Sequence, residues 1–252
     1  METKARFVFG DARVWRYMVA SIEKILDEGV FVVSQEGVSL RAMDLSKIVM
    51  VDLFYPESSF REFEPGEGET EFGVSFNVFS KVLRRARKND ELEIRVGESS
   101  IEVVFRGRGR RLFRIPQIML TYQKLPEPKI PITVTATMTS TVFRESIRTI
   151  EPIADAVMFE ADEDGEKLYI RGEGDIERAE LVLSLERGSL IDLTVESPDS
   201  ALYTLEYFSQ MMQAAQAANT VVVKYSQDAP VRVDMQYPPE GRLTFYVSPR
   251  IE

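Results

Sequence analysis

The sequence predicts an α+β protein built from two copies of one domain. Two observations lead to this class: amphipathic helical stretches alternate with short β-branched stretches bounded by turn residues, and the two halves of the chain align on each other. The 252 residues suffice for two domains of about 120 residues, each with a core of its own. A hydrophobic content of 44% excludes a disordered chain, so both domains should be globular.

The first half sets the order of elements. It opens with a strand at 5–9 and a helix at 11–26, for which Asp11 is the predicted N-cap. A second helix is predicted at 76–88, and the polar stretch 56–71 before it predicts a loop. The other predicted strands form antiparallel meanders at 30–34, 38–43, 48–55, 91–96, 100–106 and 110–115.

A proline-rich stretch separates the halves. Residues 116–131 contain four prolines, none of which suits a helix interior or a central strand. The stretch therefore predicts an extended connector. The predicted boundaries are 1–116 for the N-terminal domain, 117–131 for the connector and 132–252 for the C-terminal domain.

The second half repeats the first at an offset of 128 residues, and later of 129. The matched pairs include Val14 with Val142, Trp15 with Phe143, Arg16 with Arg144, Phe31 with Phe159, Gly37 with Gly165, Phe79 with Phe208 and Leu92 with Val221. One register thus continues through a helix, a strand and a turn glycine. This predicts a duplicated domain with helices at 140–150 and 203–218 in the second copy.

Positive charge is concentrated on the predicted helices, although the formal net charge is −10. At 76–88 the apolar residues share one helical face and the basic residues share the other, the latter being Lys81, Arg84, Arg85 and Lys88. Arg16, Arg144 and Arg148 take outward positions on two other helices, whereas 203–218 has no basic residue. Such a pattern fits a solvated face or a surface that meets a polyanion.

The residue types available for chemistry are few, because the chain has no cysteine and no histidine. The commonest general base and metal ligand is therefore missing, which disfavours an enzyme and predicts no cofactor and no metal site. A nuclease with carboxylate-held magnesium stays as an alternative, although the acids lie mainly in turns. Residues 107–109 and 162–165 match phosphate and calcium loops only in part and are predicted turns.

The sequence gives no sign of a membrane or secreted protein. No apolar run approaches the ~20 residues that span a bilayer, and the N-terminal residues lack a secretion signal. We therefore expect no membrane partner and a cytoplasmic location.

Three stretches carry a resemblance that covers the whole chain. They are LRAMDLSKIVMVDL at 40–53, the proline-bearing connector, and LTFYVSPRIE at 243–252. Together they resemble the proliferating cell nuclear antigen family, the DNA sliding clamps, in its archaeal form. The resemblance implies a trimeric pseudo-sixfold ring, with helices lining a pore for duplex DNA and antiparallel sheets outside. It also implies a non-enzymatic processivity factor of DNA replication and repair, associated with the nucleoid.

The resemblance also implies functional residues. The family's pore-lining basic positions match Arg16, Lys81, Arg84 and Arg148, and the helical pattern adds Arg85, Lys88 and Arg144 as DNA-binding candidates. A pocket for client peptides is implied at Met43, Lys47, Ile48, Met50, Leu125, Pro126, Pro230, Tyr246, Val247, Ser248 and Pro249. Core packing explains Met43, Ile48 and Met50 equally well, and Pro249 also suits the end of a strand.

A subunit interface is implied between two edge strands, 110–116 of one chain and 177–184 of the next. Arg110, Arg111 and Arg114 would face Glu177 and Glu180, with solvated charges as the alternative. The implied partners are double-stranded DNA, a clamp loader, and DNA polymerase, flap endonuclease and DNA ligase through short peptide motifs. A homotrimer and a heterotrimer with related clamp subunits both remain open, and a DNA-independent scaffold is the second alternative.

Overall fold

The computed structural model describes residues 2–121, 124–162 and 164–250, which fall into two compact units. The first comprises Met1–Leu45, Val51–Pro126 and Tyr237–Leu243. The second comprises Ser46–Met50, Glu127–Gln236 and Thr244–Glu252.

The first unit contains two helices and two antiparallel sheets. Its helices are α1 (Ala12–Ile22) and α2 (Phe76–Leu83). Its strands are β1 (Ala5–Phe9), β2 (Glu28–Ser34), β3 (Gly37–Met43), most of β4 (Val49–Pro56), β5 (Glu62–Glu64), β6 (Thr70–Ser75), β7 (Glu91–Val96), β8 (Ser100–Arg106) and β9 (Arg110–Pro116). One sheet has the order β5-β1-β7-β8-β9 and the other the order β4-β3-β2-β6.

The second unit repeats this arrangement. Its helices are α3 (Ser140–Ile150) and α4 (Leu205–Ala215). Its strands are β10 (Val134–Thr139), β11 (Ala156–Ala161), β12 (Lys167–Glu173), β13 (Arg178–Ser184), β14 (Asp192–Val195), β15 (Ser200–Thr204), β16 (Thr220–Tyr225), and most of β17 (Val231–Tyr237) and β18 (Gly241–Val247). The strand orders β14-β10-β16-β17-β18 and β13-β12-β11-β15 correspond strand for strand to those of the first unit. The predicted α+β duplication is therefore confirmed.

Aromatic side chains form the core under the helices. In the first unit the Trp15 ring lies 6.0 Å from Phe31 and 6.0 Å from Tyr55, measured between ring centroids. Phe79 of α2 meets Phe31 from the other side at 6.1 Å. Because both helices bury their apolar face on these rings, their charged side chains can only point the other way.

The second unit has an equivalent cluster. The Phe159 ring lies 5.5 Å from Phe208 of α4 and 6.0 Å from Tyr225. Phe143 and Ile147 of α3 are fully buried as well. The alignment of the two halves pairs Phe31 with Phe159 and Phe79 with Phe208. The residues of each pair thus occupy equivalent core positions.

Three predicted helices are too long. The helix predicted at 11–26 ends at Ile22, because the chain must turn before β2 begins at Glu28. The helix predicted at 76–88 ends at Leu83, and Asn89 has the left-handed φ of 67°, which reverses the chain before β7. The helix predicted at 203–218 is restricted to Leu205–Ala215, because β15 extends to Thr204. The helix predicted at 140–150 is confirmed.

The predicted loop at 56–71 is also wrong in part. Its residues include the single-turn 3-10 helix Glu57–Ser59 and the strand β5, whose residues pair with β1. Polar residues occupy β5 because Glu62 and Glu64 both form ion pairs with Arg6 of β1, at 2.5 and 2.7 Å. Val78 of α2 is one of the apolar residues that were predicted to share a helical face, but it is 39% exposed.

A buried carboxylate organises one face of the first unit's larger sheet. Glu93 of β7 is fully buried and lies 2.7 Å from Arg6, 2.8 Å from Arg95 and 2.7 Å from Arg106. Burial acts to raise the pKa of Glu93, but the hydrogen bonds from Arg6 and Arg95 outweigh it, so the pKa lies below its ordinary value. Charged Glu93 therefore joins three strands through its arginines.

We expect Glu93→Gln to lower the free energy of unfolding by about 2 kcal/mol at neutral pH, because three partly exposed arginines lose their common anion. The folded-state pKa of Glu93 is lowered, so its contribution is present above the unfolded pKa of ~4.5 and is lost as pH falls through the folded pKa. The difference between wild type and variant should vanish at low pH. Chemical denaturation across a pH series measures it.

The matched control is Glu98→Gln, which changes an exposed glutamate in the turn between β7 and β8. It should leave stability unchanged at every pH. A Glu93→Gln variant that follows the wild-type pH curve would show that the arginine cluster does not depend on this carboxylate.

Candidate nucleic-acid and partner interfaces

The basic residues after α2 lie in a turn rather than on a helix, contrary to the predicted span. Lys81 is exposed in the last turn of α2, and Arg84, Arg85 and Lys88 are exposed beyond its end. Arg84 is already paired, because its Nη2 lies 2.6 Å from Glu23 of the α1 exit. Among the described residues, Lys81, Arg85 and Lys88 form no ion pair, and these three cations are available to an external anion.

Asp90 fixes this basic turn. Its carboxylate is 3% exposed, accepts a hydrogen bond from the Arg87 backbone N–H at 2.6 Å, and forms an ion pair with Arg111 of β9. Arg111 also donates to the Arg85 carbonyl at 2.7 Å. A Cβ at Gly107 would lie 2.1 Å from Asp90 Oδ1, so the closeness of the β8–β9 hairpin to Asp90 requires glycine there. Contacts from Arg111 of β9 therefore stabilise the conformation of this turn.

Arg16 of α1 points at the same turn. It is half-buried, its Nη1 donates to the Ala86 carbonyl at 3.4 Å, and its guanidinium lies 5.5 Å from the centre of the Tyr17 ring. Arg16 therefore combines a structural contact with partial exposure beside the basic turn.

The second unit contains two of the predicted DNA-binding residues. Arg148 is exposed in the last turn of α3, whereas Arg144 is half-buried. Thr139 caps α3 by accepting from the Val142 N–H at 3.3 Å. On α4, Glu206 in the first turn bonds Gln210, and no basic residue is present. Two helices of the same unit, α3 and α4, thus differ in charge: α3 carries two arginines and α4 carries no basic residue.

The pocket residues of the second unit differ in exposure. Met50 and Val247 are buried and belong to the core. Of the two explanations that the sequence left open for Met50, core packing is therefore the correct one. Ile48 is 36% exposed, Lys47 is exposed, and Pro230, Ser248 and Pro249 are half-buried. The structure brings the two pocket stretches of this unit together, because the Ser248 N–H donates to the Ile48 carbonyl at 3.0 Å.

The pocket residues of the first unit are Met43, Leu125 and Pro126. Met43 is 41% exposed at the end of β3, so core packing does not explain it. Leu125 is half-buried and Pro126 is exposed. The Leu125 carbonyl accepts a hydrogen bond from Arg41 at 3.1 Å.

Family models match both halves of the chain. The model for the N-terminal domain of proliferating cell nuclear antigen matches residues 4–113, and that for its C-terminal domain matches residues 126–250. The chain belongs to the proliferating cell nuclear antigen family.

Individual members of the family are similar over nearly their whole length. DNA polymerase sliding clamp 3 of Aeropyrum pernix is 56% identical over 248 residues, which are 98% of this chain and 99% of that protein. DNA polymerase sliding clamp 1 of Thermococcus kodakarensis is 34% identical over 246 residues, which are 97% of this chain and 98% of that protein.

Solved structures of the family have the same fold. A PCNA2–PCNA3 complex from Sulfolobus tokodaii has a chain with a TM-score of 0.91 and 27% identity, covering 98% of this chain and all of that one. PCNA of Thermococcus kodakaraensis gives a TM-score of 0.91 at 29% identity, with the same coverage.

The edge strands expected at a family subunit interface are the outer strands of their sheets. β9 ends one sheet of the first unit and β13 ends one sheet of the second. Some of their charged side chains form ion pairs within their own unit. Arg114 pairs with Glu102 at 2.6 Å, and Glu180 pairs with Arg171 at 2.6 Å. Arg111 is paired as described above. In the described part of the chain only Arg110 and Glu177, of the five candidates, form no ion pair.

A cationic cleft was missed by the sequence reasoning. It has a volume of about 1210 Å³ in the first unit, between the basic turn and the β8–β9 hairpin. Besides Lys88 and Arg110, the cations on its wall include Arg61, Arg87 and Arg108. Residues 107–109 were correctly predicted as a turn, but only the fold shows that this turn lies beside the basic residues that follow α2.

Other predicted features lie outside the described residues, namely the tail residues Ile251 and Glu252, Glu163 of the 162–165 turn, and Tyr122 and Gln123 of the connector. In the part that the structure describes, no group of three or more acidic residues is placed to hold a metal ion. None of the described helices has the length and apolar character needed to span a bilayer.

We expect Asp90→Ala to release the basic turn. The variant leaves Arg111 without its buried anion and the Arg87 N–H without its acceptor, so the free energy of unfolding should fall by about 2–3 kcal/mol. Hydrogen exchange at the Arg87 amide should accelerate as well. Glu67→Ala, which truncates an exposed loop carboxylate of the same unit, is the control and should change neither quantity. Unchanged exchange at Arg87 in Asp90→Ala would contradict the assignment.

Proposed function

We propose that this chain is a subunit of a DNA sliding clamp. Three subunits form a ring around duplex DNA, the four helices of each subunit face the DNA, and the ring tethers replication and repair enzymes without performing chemistry. It works in the cytoplasm at the nucleoid. The observation that carries this proposal is the presence of exposed, unpaired cations on the helical side of an acidic protein of this family.

The DNA contacts are proposed to be electrostatic and independent of sequence. Lys81, Arg85, Lys88 and Arg148 are long, exposed side chains that can exchange between neighbouring phosphates. Arg84 joins them only when it leaves Glu23, and Arg16 and Arg144 contribute from half-buried positions. Loose contacts of this type attract the duplex without fixing its register, which allows the ring to slide.

Client enzymes are proposed to bind through a short peptide with an aromatic anchor. Met43 of the first unit and Ile48 of the second are exposed apolar side chains, and Pro230 and Pro249 add half-buried rings, whereas Tyr246 is buried. The connector has exposed backbone with which an extended peptide can pair. DNA polymerase, flap endonuclease and DNA ligase are the proposed clients, and a clamp loader is the proposed partner for opening the ring.

Ring closure is proposed through β9 of one chain and β13 of the next, both of which end their sheets. An edge strand carries unpaired backbone groups that a neighbouring chain can satisfy. Arg110 and Glu177 are the charges that remain available on these edges. Because Arg110 and Glu177 have opposite charges and belong to the same chain, we propose that the ring closes with three copies of this chain, with a heterotrimer of related clamp subunits as the alternative.

A DNA-independent scaffold is the second candidate, and the helical cations would then be only solvated. The DNA experiment below separates it from the clamp. The nuclease alternative has less support, because the acids of the sequence lie mainly in turns and loops.

We expect the double variant Lys81→Ala/Arg85→Ala to weaken binding to a linear duplex about tenfold at low salt. The slope of log affinity against log salt should fall by about 2, because each lost phosphate contact contributes close to one. Fluorescence anisotropy at several salt concentrations measures both effects, and stimulation of a polymerase on a primed circle should fall in parallel.

The matched control is Lys4→Ala/Arg187→Ala, which removes the same charge from exposed positions away from the helices. It should keep the wild-type slope. An equal loss of DNA affinity in both variants would mean that only the net charge of the protein matters. Full polymerase stimulation by Lys81→Ala/Arg85→Ala would favour the DNA-independent scaffold.

We expect light scattering of the purified chain to give three times the chain mass of 28.8 kDa, and the value should persist across a dilution series. Complementary edges on a single chain are the physical reason. A mass of one or two chains that reaches three only after addition of a related clamp subunit would contradict self-assembly and make the ring heteromeric.

A further inference from the structure

An arginine in each unit holds the connector, one on either side of Pro126. In the first unit, Arg41 of β3 donates from Nη1 to the Leu125 carbonyl at 3.1 Å and from Nη2 to Asp52 at 2.8 Å. Asp52 is only 4% exposed. The buried carboxylate fixes one side of the guanidinium, and the other side fixes the backbone of the connector.

The second unit uses the same device with different residues. Arg232 of β17 lies 2.9 Å from Asp234 through Nε and 2.9 Å from the Glu127 carboxylate through Nη1. Asp234 is 3% exposed and also accepts from Thr244 at 2.6 Å and from Lys224 at 3.0 Å.

The charge of Asp234 is secured by these neighbours. Burial acts to raise the pKa of Asp234, but the hydrogen bond from Thr244 and the charges of Arg232 and Lys224 lower it below its ordinary value. Asp234 therefore remains an anion at neutral pH and keeps Arg232 aimed at Glu127.

Glu127 connects this arginine to a residue of the proposed client pocket. The Tyr246 hydroxyl donates to Glu127 Oε1 at 3.3 Å, and the Arg232 guanidinium lies 5.6 Å from the centre of the Tyr246 ring. Tyr246 is 3% exposed, so its ring position is set by packing, whereas the Glu127 side chain is 48% exposed. Glu127 is thus a surface carboxylate whose contacts all attach the connector to the second unit.

The connector depends on such side-chain contacts, because its described parts have no regular backbone hydrogen bonding of a helix or a sheet. In its described parts, 117–121 and 124–131, it forms neither helix nor strand. A segment of this kind loses conformational freedom when a peptide pairs with it, and that loss weakens binding unless the segment is ordered beforehand.

We propose that Arg41 and Glu127 are positioning residues that hold the connector in the conformation that client peptides bind. This inference rests on the proposed client-binding function. Neither residue has to touch the peptide: Arg41 acts through the Leu125 carbonyl, and Glu127 acts through Arg232 and Tyr246.

The test compares Glu127→Ala and Arg41→Lys with wild type in the full chain. Alanine removes both contacts of Glu127, whereas lysine keeps a charge for Asp52 but offers a single ammonium in place of the guanidinium fork. Glu186→Ala, in an exposed turn of the second unit, is the control. The probe is a synthetic peptide that ends in two adjacent phenylalanines, and calorimetry measures its Kd.

We expect each variant to raise the Kd of the peptide about five- to tenfold, while the control leaves it unchanged. Hydrogen exchange of the connector amides should accelerate in both variants without peptide. The melting temperature of Glu127→Ala should equal that of wild type, since this carboxylate is exposed. A weaker affinity without loss of stability separates positioning from a structural role.

Two results would overturn the inference: a Kd within twofold of wild type in both variants, or connector exchange that does not change in either. If wild type itself fails to bind the peptide, the proposed client function is wrong in this form. Hydrogen exchange of the connector amides in the two variants still decides whether Arg41 and Glu127 order the connector.

Discussion

Burial of one helix face on an aromatic core is the constraint on which the other features depend. Trp15, Phe31 and Phe79 in the first unit and Phe143, Phe159 and Phe208 in the second occupy the layer between helix and sheet. A helix that covers such rings has a single polar face left, and the charge on that face is free to vary without cost to the core. This explains how α3 carries arginines and α4 carries glutamate and glutamine on the polar face of the same scaffold.

Internal ion pairs limit what a count of basic residues says about binding. Arg6, Arg95 and Arg106 surround Glu93, and Arg111 is held by Asp90. These arginines stabilise sheets and turns, and they are not available to phosphates. In the proposed clamp, the attraction of DNA therefore rests on a small group of exposed cations near the end of α2 and on α3.

Strong periodicity made much of the fold predictable. β1, β7, β8 and α3 have the predicted bounds, because their alternating or helical patterns end at clear turn residues. The basic turn was predicted as helix because its apolar and basic residues separate onto two helical faces, whereas in the structure Asp90 fixes a turn through the nearby Arg87 N–H and through Arg111 of β9. β5 was missed because its glutamates are stabilised by Arg6, which lies 56 residues away from Glu62 in sequence.

The candidate sites were predictable as stretches but not as individual side chains. Ile48 and Met50 are two residues apart and would share one face of a continuous strand. Because β4 begins at Val49, Ile48 lies before the strand and is exposed, whereas Met50 is buried. Likewise, Arg114 and Glu180 look like free edge charges in the sequence, although each is paired within its own unit. Long-range pairing of this type depends on strand order, which local sequence does not encode.

The arginine-based contacts have a consequence for how the protein responds to its surroundings. The chain has no histidine, and the shifts described for Glu93 and Asp234 lower the pKa of groups that are already acidic. No side-chain type in the sequence ordinarily titrates between about pH 5 and 9. The charge of the side chains should therefore stay nearly constant across that interval, so acidity is a poor regulator of this protein. Dissolved ions, which screen phosphates and exposed cations alike, are the variable to which its contacts with a polyanion respond.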